Sequence, residues 1–282
     1  MIIVKHISEL QQLVLQARKN NAIIGFVPTM GALHAGHLSL IKKSHVECTI
    51  TVVSIFVNPT QFNNKADYEK YPRIYDTDIK LLENEKNCDI LFMPDEKEMY
   101  PVPDHRRFDL GYLEEIMEGA FRPGHFQGVA LIVSKLFDAV LPDKAYFGKK
   151  DFQQLAVIRK LVELENYKVE IVPCDIVREP HGLAMSSRNL RLSKEDFNNA
   201  QIIFNALSKI PEWIQNKTID DIKQQIKVMI ENVPPFKLEY LELVDTFSLR
   251  TVVNIKEHRS ITACIAVFCN DVRLIDNIEI LL

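Results

Sequence analysis

The sequence predicts an α/β protein with a doubly wound parallel sheet over residues 1–176 and a smaller α+β domain over 177–282. Three observations predict it. Through the first 175 residues, short apolar strand-like runs alternate with helix-like runs, as a parallel sheet built from βαβ units requires. After about residue 176, two helix-like segments come together ahead of three strand-like ones. The length, 282 residues, suits two domains.

The elements follow in order. A helix over 7–19 has Ser8 as its candidate N-cap. An apolar strand over 23–28 leads into a glycine turn, and a helix over 38–48 follows. The strand over 50–57 is rich in β-branched residues (Thr51, Val52, Val53, Ile55, Val57). Tyr68 to Tyr75 reads as a packed, partly exposed connector into a helix over 75–86 that carries Ile79, Leu81 and Leu82. A strand over 89–94 comes next, then the basic, aromatic turn from Phe121 to Phe126, which either helps to shape the site or is only a structural turn. The run over 128–141 is apolar on all sides, which suits a helix packed between layers. A strand over 144–147 precedes a helix over 152–166, with Leu155, Ile158, Leu161 and Val162 at helical spacing, and a strand over 168–173. The second domain reads as helices over 194–210 and 219–232, then strands over 238–244, 261–268 and 273–276.

Composition narrows the function. Hydrophobic residues make up 47% and charged residues 26%, enough for a core without metal or disulfide staples. The formal net charge of −4 argues against a sequence-independent nucleic-acid binder. Cys48, Cys88, Cys174, Cys264 and Cys269 form no C-x-x-C pair and no zinc spacing. They read as free thiols in a reducing cytoplasm, with no bound metal. Met1 to Val4 is too short an apolar run for a signal peptide, and no run approaches the roughly 18–20 residues that cross a membrane. The expectation is a soluble, cytoplasmic protein.

Four polar turns follow the predicted strands. After the first comes Met30-Gly31-Ala32-Leu33-His34-Ala35-Gly36-His37, a tight turn into a helix start. Such a start presents unpaired backbone N–H groups and the positive end of the helix dipole, both suited to phosphate. Gly31 and Gly36 let backbone approach a ligand. His34 and His37 either contact a triphosphate or merely cap and pack. After the second strand, Asn58 precedes Pro59 in a turn, and the Gln61 amide can hold a hydroxyl and a carboxylate together or simply cap the loop. After the fourth, Gly148-Lys149-Lys150-Asp151 offers a lysine to phosphates and a candidate helix cap in Asp151, with Gln154 placed to meet a substrate hydroxyl or solvent. After the fifth, Met185-Ser186-Ser187-Arg188 supplies two hydroxyls and a guanidinium fork, in a loop that either closes over phosphates or joins two domains. Ligands of an open parallel sheet sit at the carboxyl ends of its strands, so these turns are expected to converge on one crevice.

Six stretches occur in order: PTMGALHAGH, SIFVNPTQF, FRPGHFQGVA, AYFGKKDFQQL, VREPHGLAMSSRN and VRLIDN. Together they resemble the pantoate–β-alanine ligase family of the H-x-G-H nucleotidyltransferases. The resemblance implies a Rossmann-like first domain, a second domain acting as a lid, and a homodimer formed through the first. It implies attack of the pantoate carboxylate on the α-phosphate of ATP, then attack of the β-alanine amine on the acyl adenylate. Met30 through His37, Gly148 through Asp151, the Val177 backbone and Met185 through Arg188 would bind ATP. His37 would be the proton donor, with His34, Lys150 and Arg188 joining it in the chemistry. Gln61, Gln154 and Asn58 would hold the organic substrates, and Mg2+ would accompany the triphosphate without a protein metal site. Ala35, Lys149 and His181 depart from the family's usual Glu, Glu and Asp, and the added charge of Lys149 is expected to strengthen nucleotide binding. A nucleotidyltransferase that stops at nucleotide transfer would need neither Gln61 nor Gln154. A catalytically silent RNA-binding relative is disfavoured by the acidic net charge.

Overall fold

The computed structural model describes residues Met1–Leu282. The chain divides into two units. The first comprises Met1–Lys149 and Gln153–Asp175, the second Lys150–Phe152 and Ile176–Leu282.

In the first unit the elements run β1 (Ile2–Val4), α1 (Ile7–Lys19), β2 (Ile24–Thr29), α2 (Ala35–Glu47), β3 (Ile50–Ile55), α3 (Lys65–Lys70), α4 (Tyr75–Glu85), β4 (Ile90–Phe92), α5 (Glu96–Met99), α6 (Met117–Phe121), α7 (His125–Val140), β5 (Lys144–Gly148), α8 (Phe152–Glu165) and β6 (Glu170–Cys174). The six strands form one parallel sheet in the order β1-β4-β3-β2-β5-β6. From β2 the chain winds outward through β3 and β4, and from β5 in the opposite direction to β6. The winding therefore reverses between β2 and β5, the switch point at which open α/β sheets bind ligands. Val27, Ile41, Val53, Ile55, Leu82, Leu91 and Tyr146 form one buried layer. Thirteen of the sixteen residues of α7 are buried, as its apolar run demands.

The parallel sheet agrees with expectation, but several elements differ. Strand β1 lies outside the expected set, because three residues at a sheet edge leave no periodic signal. Ser8 does not cap α1: His6 occupies that position, and Glu98 of α5 accepts from the Ile7 N–H at 2.8 Å. Helix α2 begins three residues earlier than the apolar pattern, because His34 caps it.

The second unit contains α9 (Lys194–Asn199), α10 (Gln201–Leu207), α11 (Ile210–Trp213), α12 (Ile219–Glu231) and an antiparallel sheet of β7 (Phe236–Asp245), β8 (Ser260–Cys269) and β9 (Val272–Leu281). The expected single helix over 194–210 is two shorter ones, with a third opening at Ile210. Thr218 and Asp221 form a reciprocal capping box on α12, which buries Ile222, Ile226 and Ile230 at four-residue spacing. These pack with Leu241, Leu243, Ile261 and Ile265. Strand β9 runs well beyond the expected 273–276. No helix is long and apolar enough to cross a membrane.

Candidate active site

The turn after β2 is held from three sides. Gly31 and Ala32 both have positive φ (78° and 49°), a conformation that suits glycine and strains alanine. The Thr29 hydroxyl accepts from the Gly31 N–H at 3.1 Å and donates to the Ser54 carbonyl at 2.7 Å. Asp78 of α4, fully buried, accepts from the N–H groups of Ala32 at 2.9 Å and Leu33 at 2.7 Å. Burial raises the Asp78 pKa, against the lowering pull of those two donors. Asp78→Asn keeps the shape but turns one acceptor into a donor facing an N–H. It is expected to lower stability in urea unfolding by about 1–3 kcal/mol. An unchanged unfolding midpoint would remove Asp78 from any role in the turn.

Both histidines take part in the cap of α2. His34 Nδ1 accepts from the Gly36 N–H at 3.2 Å, and His37 Nδ1 accepts from the His34 N–H at 3.3 Å. An Nδ1 that accepts leaves the proton of the neutral ring on Nε2. The cap thus sets both rings as Nε2–H donors, with centroids 4.0 Å apart. The two alternatives read from the sequence, capping and ligand contact, therefore use different nitrogens. The first turn of α2 contains no acidic residue.

The turn after β3 is a 3-10 helix, Pro59–Gln61. The Gln61 amide nitrogen donates to Met30 Sδ at 2.9 Å, which joins this turn to the histidine turn. Asn58 is buried. Its amide donates to Gln61 Oε1 and the Gly128 carbonyl, each at 3.2 Å, while its oxygen accepts from the hydroxyls of Thr60 at 3.1 Å and Tyr100 at 2.7 Å. All four hydrogen-bonding positions of that side chain have protein partners, through which Asn58 braces Gln61. His125, in the basic, aromatic turn, lies against the Gln61 carbonyl at 2.7 Å and Arg122 Nη1 at 3.0 Å. The carbonyl only accepts and the guanidinium only donates, so His125 carries its proton on Nδ1. Arg122 in turn pairs with Glu118 at 3.3 Å.

After β5, the Lys149 N–H donates to the Cys174 carbonyl at 2.7 Å, and its ammonium pairs with Asp175 at 2.6 Å. That pairing holds the Asp175 carboxyl below the usual range and offsets the extra charge expected of Lys149. Asp151 lies directly before α8. Gln153 is buried and structural: it accepts from the Glu118 N–H and donates to the carbonyls of Leu113 and Ile116. Gln154 beside it is half-buried.

In the second unit, Val177 and Met185 are joined by a Met185 N–H to Val177 carbonyl bond of 3.0 Å, and Arg178 bridges to Ala184 in antiparallel fashion. The Ser186 hydroxyl caps the 3-10 turn Ser187–Arg191 by accepting from the Arg188 N–H at 3.2 Å. Asn189 donates to the Ala184 carbonyl at 3.1 Å. His181 Nε2 donates to the Phe197 carbonyl at 3.0 Å.

The model of the family described as pantoate-beta-alanine ligase matches residues 2–279. The chain belongs to the pantoate–β-alanine ligase family. A pantothenate synthetase from Bacteroides thetaiotaomicron is 51% identical over 279 residues, 99% of each chain. A solved pantothenate synthetase from Thermus thermophilus superposes with a TM-score of 0.91 at 38% identity, covering 99% of both chains. A pantoate–β-alanine ligase from Francisella tularensis, complexed with "Beta-gamma ATP" and β-alanine, gives a TM-score of 0.80 at 36% identity, over 99% of this chain and 97% of that one. As a member of this ligase family, the chain is an enzyme of pantothenate biosynthesis. Two residues that brace these turns carry no role in the sequence reading, Asp78 and Tyr100, whereas His125 lies in the 121–126 turn expected either to shape the site or to be only a structural turn. For Asp78 a signal exists. It shares the buried stripe of α4 with Leu82, four residues on, where a carboxylate needs a partner.

Proposed function

We propose that the chain condenses pantoate with β-alanine through pantoyl adenylate. A pantoate carboxylate oxygen attacks the α-phosphorus of MgATP and pyrophosphate leaves. The β-alanine amine then attacks the acyl carbon, AMP leaves, and one amine proton is lost to solvent. A carboxylate is a poor electrophile, so adenylation supplies the leaving group that amide formation needs. No covalent enzyme nucleophile is required, and the work of the protein is positioning and charge stabilisation.

The observation that carries this reading is the placement of the histidine and lysine turns at the ends of β2 and β5, the two strands that flank the switch point. In this reading Met30 through His37 line the nucleotide, and the Nε2–H groups of His34 and His37 donate to charge as it builds on the leaving phosphates. Gly148 through Asp151 complete the nucleotide contacts, with Lys150 on the phosphates. Val177 meets adenine through its backbone, and Met185, Ser186, Ser187 and Arg188 close on the triphosphate. Gln61 touches both organic substrates, and Gln154 holds pantoate. Magnesium arrives with ATP, coordinated by phosphate oxygens and water. The second unit serves as a lid, and two chains pair through their first units in the cytoplasm, with no nucleic-acid or membrane partner.

The test is pyrophosphate release from MgATP with pantoate, with and without β-alanine. Release that depends on pantoate, with AMP and pantothenate appearing only on addition of β-alanine, is the expected result. No pantoate-dependent release from folded protein would overturn the reading. Gln61→Ala is expected to slow both half-reactions, since Gln61 would touch both substrates. An effect confined to β-alanine use would restrict it to the second.

A further inference from the structure

The stretch VRLIDN in β9 has no part in the reaction as described so far. Its last two residues, Asp276 and Asn277, are nonetheless buried in the middle of the strand, where apolar side chains are expected. Asn277 reaches a segment assigned to ATP, and Asp276 reaches the hairpin that carries another. The Asn277 amide donates to the Lys150 carbonyl at 2.9 Å. The Asp276 carboxylate takes the Arg178 guanidinium in a fork, at 2.5 and 3.0 Å. The same guanidinium donates to the carbonyls of Gly182 at 3.1 Å and Asn277 at 3.3 Å, and stacks over the Phe204 ring at 4.1 Å. Arg178 thereby fixes the hairpin whose two sides are Val177 and Met185, the root of the serine-arginine loop. The Asn277 backbone N–H donates to Asp276 Oδ1 at 2.8 Å, which helps to fix the orientation of that carboxylate.

We propose that Asn277 is a positioning residue for Lys150 and that Asp276, through Arg178, positions the 185–188 loop, so that one two-residue step of β9 sets the register between the two segments assigned to triphosphate. This rests on the assignment of Lys150 and of that loop to ATP. The physical ground is rigidity. A lysine on a glycine turn has a flexible stem, and its reach is defined only when the backbone that carries it is fixed. Lys150 and its two neighbours belong to the second unit, and the Asn277 amide grips the Lys150 carbonyl.

The experiment uses the full chain with Asn277→Asp, Asn277→Ala, Lys150→Ala and the Lys150→Ala/Asn277→Ala double variant. Two reactions are followed: pantoate-dependent pyrophosphate release, and aminolysis by β-alanine of pantoyl adenylate supplied preformed. Asn277→Asp is isosteric and sets an acceptor against the Lys150 carbonyl. Both Asn277 variants are expected to slow pyrophosphate release on the order of 10- to 100-fold while aminolysis falls far less. The double variant should lose no more than Lys150→Ala alone, as residues acting through one group do. Equal losses in both reactions, additive losses in the double variant, or normal turnover of the Asn277 variants would overturn the inference. A Lys150→Ala variant with normal pyrophosphate release would instead overturn the assignment of Lys150, and with it the ground of the proposal.

Discussion

His37→Ala is expected to lower pantoate-dependent pyrophosphate release roughly 100- to 1,000-fold, the range for removing one aimed donor from a preorganised site. The size follows from what the ring does in the cap. Its Nδ1 accepts from the His34 N–H, so the proton of the neutral ring stays on Nε2 and the ring does not need to reorient as charge develops. The same substitution removes one half of the reciprocal cap of α2, at a cost of about 1 kcal/mol. A small drop in thermal midpoint with an unchanged circular dichroism spectrum should therefore accompany the catalytic loss. Near-normal turnover, measured at saturating MgATP and pantoate, would take His37 out of the mechanism.

Gly128→Ala is expected to damage both the site and the fold. A methyl group at this position of α7 would lie 2.2 Å from the Thr60 carbonyl oxygen, 2.5 Å from its carbon and 2.7 Å from the Gln61 Cα. All three are backbone atoms, so no side chain can swing aside. Helix α7 is buried along most of its length, so the turn that carries Gln61 has to move. That turn is braced by Asn58, whose amide bonds both Gln61 Oε1 and the Gly128 carbonyl, and by His125 on the Gln61 carbonyl. Overpacking of this kind costs about 1–3 kcal/mol. With Gln61 on the substrates as proposed, a displacement of its amide by about 1 Å is expected to cost roughly 100-fold in rate. In a helix free of such contact the same change would stabilise by about 1 kcal/mol. The two cases are told apart by urea unfolding together with the rates of both half-reactions: a stabler, fully active variant would show that the turn tolerates the methyl.

Much of this architecture is readable from the chain alone, for identifiable reasons. Strands β2, β3 and β5 are apolar runs that end in glycine or proline turns, and those turns carry the polar residues. Punctuation of this sort survives without any knowledge of tertiary contacts. What the sequence hides depends on partners distant along the chain. Asp78 meets the N–H groups of Ala32 and Leu33, 46 and 45 residues away. His125 reaches the Gln61 carbonyl across 64 residues. Strand β9 shows the same cause acting on a boundary. Its apolar pattern breaks at Asp276 and Asn277, which ends the expected strand there, although the strand continues to Leu281 with full pairing to β8. The two residues that interrupt the pattern are buried because Arg178 and the Lys150 carbonyl satisfy them, and neither partner is visible locally. The helix expected over 194–210 fails differently. Its residues have helical spacing throughout, and Ser193 caps only its first short segment.

The grip of β9 on Lys150 also orders events in time. Asn277 lies 127 residues after Lys150, whereas the Asp78 clasp on the histidine turn closes within 46. During synthesis at roughly 5–20 residues per second, a growing chain holds its histidine turn in place while the lysine turn waits on the order of ten seconds for its anchor. A nascent chain, or one cut short before β9, has no Asn277 amide to hold the Lys150 carbonyl. The lysine turn acquires that anchor only when the ribosome has delivered β9.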